Sequence, residues 1–336
     1  MDITPFKNKI LVSISTRGRY DTTLPLTIQS VIFQTRKPDK LVIFDDNDKP
    51  ADLRNNQTYQ YLFQMLDAKG IAWEVIFGER KGQHYNHQHA NRMGYEFIWR
   101  LDDDCVAEPD VLEKLMLQMK DDVGAVGGSN IIPPLYTMPV NASNKINEIY
   151  QPNKQWFKIT ETEEVDHLTC SFVYRAGIAD YNLTLSNKAH REETMFSYSL
   201  KMKGYKVLLT PCITWHLRFN SGGIRSNDKV EDYYHDEAIF NNWLKFIGSE
   251  QKLIILNNGL GDHYVFKKIL PEIKLKYPKL TLAVCYPDVF ADENINLISI
   301  ADGQKLENEY KHSVYNWMED NDWKDSLENA FRKMYL

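Results

Sequence analysis

The segment that most constrains this chain runs from Phe97 to Asp110, Phe-Ile-Trp-Arg-Leu-Asp-Asp-Asp-Cys-Val-Ala-Glu-Pro-Asp. An apolar stretch, Phe97 to Leu101, runs into three consecutive carboxylates, Asp102, Asp103 and Asp104, and Pro109 and Asp110 then open a helix expected from Val111. Three like charges at a strand end repel one another unless something positive sits among them. A hard divalent cation, which prefers oxygen ligands, is the simplest neutraliser. A solvated acidic turn that caps the next helix is the competing reading. Position favours the cation: the acids follow a strand in a chain that alternates strand and helix, and such sheets bind ligands at the carboxyl ends of their strands.

That alternation is visible along most of the chain. Ile10–Ser15 reads as a buried first strand ending in Thr16-Arg17-Gly18-Arg19, and a helix from about Thr22 follows, with Leu24, Ile28, Val31 and Ile32 on one face. Leu41–Phe44 is a second strand that also runs into acid, Asp45-Asp46. Asp52 is placed as the cap of a helix through Leu66, and Trp73–Phe77 as a third strand. Residues 78–92, with His84, His87 and His89, read as a polar loop near the site; with no cysteine or acid at fitting spacing, the histidines are not expected to bind metal. Val123–Gly128 is a strand, and Ile131–Pro152, rich in Pro and Asn, is a long loop suited to cover the site. Short strands follow at Trp156–Ile159, Val165–Leu168, Val207–Leu209 and Ile213–His216, with helices over Thr194–Lys203 and Asp232–Ile247 and a flexible loop at Gly222–Arg225. Gly248-Ser249-Glu250 reads as a joint, after which strands restart at Leu253–Leu256, Leu280–Cys285 and Leu297–Ile300, with helices over Val265–Lys276 and Lys324–Met334.

With 336 residues the chain is long enough for two domains, expected at 1–248 and 249–336. The net charge of −6 argues against general affinity for nucleic acid or anionic lipid, although a local groove would suffice for either. Cys105, Cys170, Cys212 and Cys285 are scattered without a CxxC pair, which fits reduced thiols in a cytoplasmic protein. The start of the sequence lacks a signal-peptide pattern, and no apolar run is long enough to span a bilayer.

Four segments in order, STRGRYDTTLPLTIQSVIFQTRKPDKLVIFDDND, NRMGYEFIWRLDDDCVAEPDVLEKL, REETMFSYSLKMKGYK and WHLRFNSGGIR, resemble the family-2 nucleotide-sugar glycosyltransferases over roughly residues 9–225. The resemblance implies an α/β GT-A fold, a mixed and mostly parallel sheet flanked by helices. It also implies a nucleoside-diphosphate sugar donor, UDP-linked by preference, a divalent Mn²⁺ or Mg²⁺, and inversion at the anomeric carbon. By resemblance Asp104 is the direct metal ligand, Asp102 contacts the ribose or the metal, His216 completes the coordination, and Asp103 belongs to the same DxD cluster. Asp46 is placed against the donor's base, with Asp45 as an alternative turn cap; Thr16 and Arg19 hold the nucleotide; Asn91 and Arg92 match, in reversed order, a pair that reaches the diphosphate. Glu193 takes the position of the base that deprotonates the acceptor hydroxyl, with Glu192 the alternative, and a helix N-terminus favours an acid there in any case. A glycan or lipopolysaccharide precursor is the expected acceptor, with a modified nucleobase in phage-type DNA or a catalytically impaired, sugar-nucleotide-binding scaffold as alternatives. A metal-dependent phosphohydrolase would explain the acids but not the order of the other segments.

The segment from Leu253 to about Ile300, with its Gly259-Leu260-Gly261-Asp262 turn, resembles the opening of a heptosyltransferase-like GT-B domain. It implies a half-Rossmann unit without transfer activity of its own, placed to bind an acceptor or to join two copies of the chain. A lone GxG is poor support for a nicotinamide site.

Overall fold

The computed structural model describes residues 6–133, 137–218, 230–248, 251–306 and 314–336. The loop at Gly222–Arg225 and most of the joint at 248–250 lie outside them. Two compact units divide at Phe240/Asn241.

The first unit begins with β1 (Phe6–Thr16), α1 (Leu24–Ile32), β2 (Lys40–Asp45), α2 (Gln57–Ala68) and β3 (Ala72–Phe77). The α1 stripe of Leu24, Ile28, Val31 and Ile32 is buried against the sheet, as its spacing requires. Asp52 caps only a short 3-10 turn, Leu53–Asn55, and Asn56 caps α2 by accepting from the Thr58 N–H. The expected helix from Asp52 is therefore two elements, because two capping side chains in succession each start one.

Next come α3 (Gln83–Asn91), β4 (Tyr95–Leu101), β5 (Cys105–Ala107), α4 (Val111–Gln118) and β6 (Val123–Ile131). The expected polar loop at 78–92 is mostly helix. His84 and His87 lie on its buried face, with His87 Nδ1 2.9 Å from Ser13 Oγ, while His89 packs on Phe44 at 5.4 Å between ring centroids. The three imidazoles share no site. Burial lowers the His84 pKa to about 4, against an opposing pull from Asp236, and takes His87 well below its ordinary value, helped by the Arg100 charge. Both histidines fold neutral, so the unfolded chain takes up protons first as pH falls below 6.5. We expect the His84 contribution to stability to be full above pH 6.5 and to fall toward pH 4, by roughly 2 kcal/mol between pH 7 and pH 5, with His87 acting in the same direction. Urea midpoints for wild type and His84→Gln across that window check this; a slope that His84→Gln leaves unchanged would refute it.

β7 (Glu163–Glu164), β8 (Ser171–Arg175), α5 (Glu192–Met202), β9 (Lys206–His216) and α6 (Val230–Gly248) follow. The sheet order is β3-β2-β1-β4-β8-β6-β9-β5, with β7 beside β9. β1, β2, β3 and β4 are mutually parallel, and β6 and β9 are parallel, whereas β8 runs antiparallel between β4 and β6. The short strands expected at Trp156–Ile159 and Val165–Leu168 do not form; β8 takes their place, and the two expected strands at 207–216 are one strand, β9. β1 has β2 on one side and β4 on the other, so the order in which strands are added reverses beside it and a crevice opens at the carboxyl ends of β1 and β4.

In the second unit, β10 (Gln251–Leu256), β11 (Lys279–Val284) and β12 (Asn296–Ser299) form a parallel three-stranded sheet. α7 (Leu260–Lys276), α8 (Ile300–Leu306), α9 (Val314–Asp320) and α10 (Leu327–Tyr335) complete it. Phe266, Ile269, Leu270 and Ile273 of α7 pack with Phe331 of α10 and Leu282 of β11 in a core of their own. Gly259 starts α7, and its N–H donates to Asp262 Oδ2 at 2.9 Å, so Asp262 serves its own helix.

Candidate active site

The carboxyl ends of β1, β2 and β4 carry three acidic or polar clusters into one cavity of about 510 Å³, within the range of small-ligand sites. β4 ends at Leu101, and antiparallel pairing of β5 with β9 sets Cys105 opposite His216. That pairing brings His216 Nε2 to 3.3 Å from Asp104 Oδ2. Arg19, from the loop after β1, reaches the same oxygen at 2.7 Å. Burial would raise the Asp104 pKa, but His216 and Arg19 outweigh it and hold the carboxyl below its usual value. Burial likewise opposes the charge on His216, yet Cys170, the Asp104 hydrogen bond and Asp102 push its pKa up to about 10.

The other two acids of the cluster differ. Asp103 Oδ2 accepts from Thr16 Oγ1 at 2.7 Å and from the Arg17 N–H at 3.2 Å, so Asp103 fastens the β1 loop to the β4 end. Burial, with Asp104 beside it, raises Asp103 to about 7. Asp102 accepts from Arg100 at 3.1 Å, and burial raises it to about 6 despite that cation.

Arg100 is the residue that the sequence reading overlooked. Its side chain is fully buried on β4 and meets three carboxylates: Glu192 Oε1 at 2.6 Å, Glu193 Oε1 at 2.8 Å and Asp102 Oδ1 at 3.1 Å. The signal was present, since an arginine inside Phe97–Leu101 has to find partners when the strand is buried. Glu193 Oε1 also accepts from the Cys170 N–H at 2.6 Å, which ties the N-terminus of α5 to the loop before β8. Glu193 lines the cavity and Glu192 does not; Glu192 is fully buried behind it, accepts from Gln83 at 2.8 Å, and is raised by burial to about 8.

At the β2 end, Asp45 holds the turn by accepting from the Asn47 N–H and side chain and from Tyr20, while Asp46 faces the cavity. Both Asp46 oxygens are buried and meet no hydrogen-bond donor at bonding geometry among the described residues. Desolvation raises its pKa, and Asn86, Arg17 and the Gly82 and Arg80 amides offset that only in part. A ligand with N–H groups to offer would satisfy it.

The cavity does not include Asn91 and Arg92. Asn91 is buried at the far end of α3, bonded to Ala179 O at 2.8 Å and accepting from the Gly177 N–H, and Arg92 is exposed beside Asp180 at 3.4 Å. A nine-residue helix puts them on the order of 13 Å from Gln83, the α3 residue that lines the cavity. The cavity lining thus does not join either residue to Asp102, Asp103 and Asp104.

Described residues of the expected covering loop, and residues just after it, form a wall of the cavity. Ser143, Ile149, Gln151, Asn153 and Trp156 line the cavity. The segment is tied down by Asn144 to His167 O at 2.9 Å, by Ile146 N to Asp166 at 2.8 Å, and by Thr169 N to Gln155 at 2.7 Å.

Among the described residues, two groups of ligand-type side chains each hold their atoms within 4.8 Å of one another: Asp104, Cys105 and His216, and Asp102, Cys170 and Glu193. The hydrogen bond to the neighbouring Cys170 and then burial raise Cys105 well above an ordinary thiol, which leaves Asp104 and His216 as the usable donors of the first group. A carboxylate and an imidazole converging on one point fit a divalent ion, which would displace the proton that His216 otherwise holds.

Residues 12–182 match the family model described as Glycosyl transferase family 2. The chain belongs to that family. The fold is the GT-A architecture, and members of the family are glycosyltransferases that take nucleotide-sugar donors, often with a divalent metal. No curated protein matches the chain. Among solved structures, the crystal structure of S. aureus TarS is similar at 11% identity and TM-score 0.47, covering 73% of this family-2 chain and 40% of that one. The crystal structure of S. aureus TarS 1-349 is similar at 12% identity and TM-score 0.47, with 73% and 67% covered. At these values the likeness adds nothing on activity. No helix among the described residues is long and apolar enough to cross a membrane.

Proposed function

We propose that this glycosyltransferase is metal-dependent and inverting, and moves a sugar from a nucleoside-diphosphate donor, UDP-linked by preference, to a hydroxyl of a glycan or lipopolysaccharide precursor. The observation that carries the reading is the convergence of Asp104, His216, Asp46 and Glu193 on one cavity at the carboxyl ends of β1, β2 and β4 and the start of α5.

In this reading Asp46 accepts from the donor's base, because it faces the cavity and its buried oxygens meet no donor at bonding geometry among the described residues. Thr16 and Arg19 border the nucleotide, with Asp103 holding their loop in place. Asp104 and His216 hold Mn²⁺ or Mg²⁺, with Asp102 alongside. Bound there, the ion supplies charge stabilisation to the leaving diphosphate. Glu193 is the base: Oε1 is held by Arg100 and the Cys170 N–H, which leaves Oε2 for the substrate. Oε2 takes the proton as the acceptor oxygen bonds to the anomeric carbon and the bond to the diphosphate breaks. The second unit, at 249–336 by the sequence reading, is proposed to bind acceptor or join copies of the chain.

A thermal-shift series tests the donor half. UDP with Mn²⁺ is expected to stabilise the wild type by about 2.7 kcal/mol at a ligand concentration one hundred times its Kd. Asp104→Ala should keep the fold and lose the Mn²⁺-dependent part of the shift. A full shift in that variant would remove Asp104 from the metal site.

A further inference from the structure

Transfer needs a second substrate, and one wall of the cavity takes no part in the donor chemistry. Trp156 lies on it, and so does His167, which is 3% exposed with neither ring nitrogen hydrogen-bonded among the described residues. Burial lowers His167 to about 4, so its neutral ring presents one donor and one acceptor. A hydroxyl, which both gives and accepts a hydrogen bond, matches either nitrogen.

The wall continues outward past His190 and Arg191, which line the cavity immediately before the Glu192-Glu193 pair. Two tyrosines stand there. Tyr150, between the cavity-lining Ile149 and Gln151, is 72% exposed, and its ring lies 5.6 Å from the Arg191 guanidinium. Tyr233 is 47% exposed, and its ring centroid is 4.6 Å from that of His190. Each ring is steadied by a neighbour, yet much of each stays open to solvent. An aromatic face with a polar tip suits a pyranose, whose C–H face packs on the ring while its hydroxyls reach the surrounding polar groups. Among the described residues beside the two tyrosines, the acids disfavour a phosphodiester chain, although Arg218 also lines the cavity. His190 and Arg191 already share Glu237, at 2.7 and 3.0 Å, and Glu231 and Asp232 on the first turn of α6 add negative charge.

We propose that this wall and rim bind the acceptor as an uncharged glycan of at least two sugar rings, one against Trp156 and His167 and the next on Tyr150 and Tyr233. The inference rests on the function proposed above and names its acceptor class.

Binding of maltotriose, cellotriose and N-acetylchitotriose, each beside its monosaccharide, is measured on the full chain by saturation-transfer NMR and titration, with UDP plus Mn²⁺ as a separate probe and a twelve-residue oligo-dT as the counter-probe. At least one trisaccharide is expected to bind about tenfold more tightly than its monosaccharide. Tyr150→Ala and Tyr233→Ala should each weaken the trisaccharide by about three- to tenfold, leaving the monosaccharide and UDP unchanged. Trp156→Ala should weaken trisaccharide and monosaccharide together, and His167→Gln should retain more binding than His167→Leu. The proposal is overturned by trisaccharide binding that ignores both tyrosines, by no oligosaccharide binding at all, or by oligo-dT binding that depends on the same tyrosines. Failure of the wild type to bind UDP would instead sink the donor reading, whatever the sugars do.

Discussion

Glu193→Gln is expected to lower kcat by about 10²- to 10⁴-fold, the range for losing a general base. UDP binding should stay near wild type, because the amide keeps the shape of the side chain and an oxygen for the Cys170 N–H, whose bond now measures 2.6 Å. Glu192→Gln separates the two acids of the pair. Glu192 is fully buried and away from the cavity, so its loss should appear in stability before it appears in turnover. Steady-state kinetics of both variants, with UDP titrations, decide between them. If Glu192→Gln lost the turnover and Glu193→Gln kept it, the assignment of the base would reverse.

Arg100→Met should give the largest loss of stability, about 3–5 kcal/mol, the usual cost of removing one partner from a buried ion cluster. The shape of the side chain is roughly kept, but Asp102, Glu192 and Glu193 would face one another without their shared cation. Arg100→Lys should rescue only part of this, since one ammonium cannot present the planar fork that now reaches all three acids. Adding Glu192→Gln to Arg100→Met should restore some stability, because it leaves two carboxyls rather than three to share the site without a cation; the urea midpoints of the two singles and the double give that coupling directly. Additive midpoints would show that Arg100 does not act through Glu192.

Much of the strand-and-helix alternation was legible because periodicity reports which face an element buries. The α1 stripe and the apolar β1, β2 and β4 runs are local patterns that any packing must respect. The site was legible where chemistry interrupts those patterns, at Asp46, at Asp102–Asp104 and at Glu192-Glu193, since acids at the ends of buried elements need a reason to be there. The sequence reading failed where local pattern and tertiary role part company. Residues 83–91 look too polar for a buried helix, yet His84, Asn86, His87 and Gln88 are buried, with Asn86 and His87 bonded to Ser15 and Ser13 of β1 and Gln88 to Asp180 and Tyr181. Ser171–Arg175 is only five residues long, and its place between β4 and β6 is fixed by pairing that no window of sequence contains.

By itself the sequence determined the alternating α/β architecture, the acids at the strand ends and the family to which the chain belongs, because hydrophobic period, charge clusters and ordered motifs are properties of neighbours along the chain. Only the tertiary structure decided that His216 meets Asp104, that Arg100 joins three carboxylates, that Glu193 rather than Glu192 reaches the cavity, and that Asn91 and Arg92 do not. Those outcomes depend on strand pairing between residues tens of positions apart and on which side chains are desolvated, and both are settled when the sheet closes.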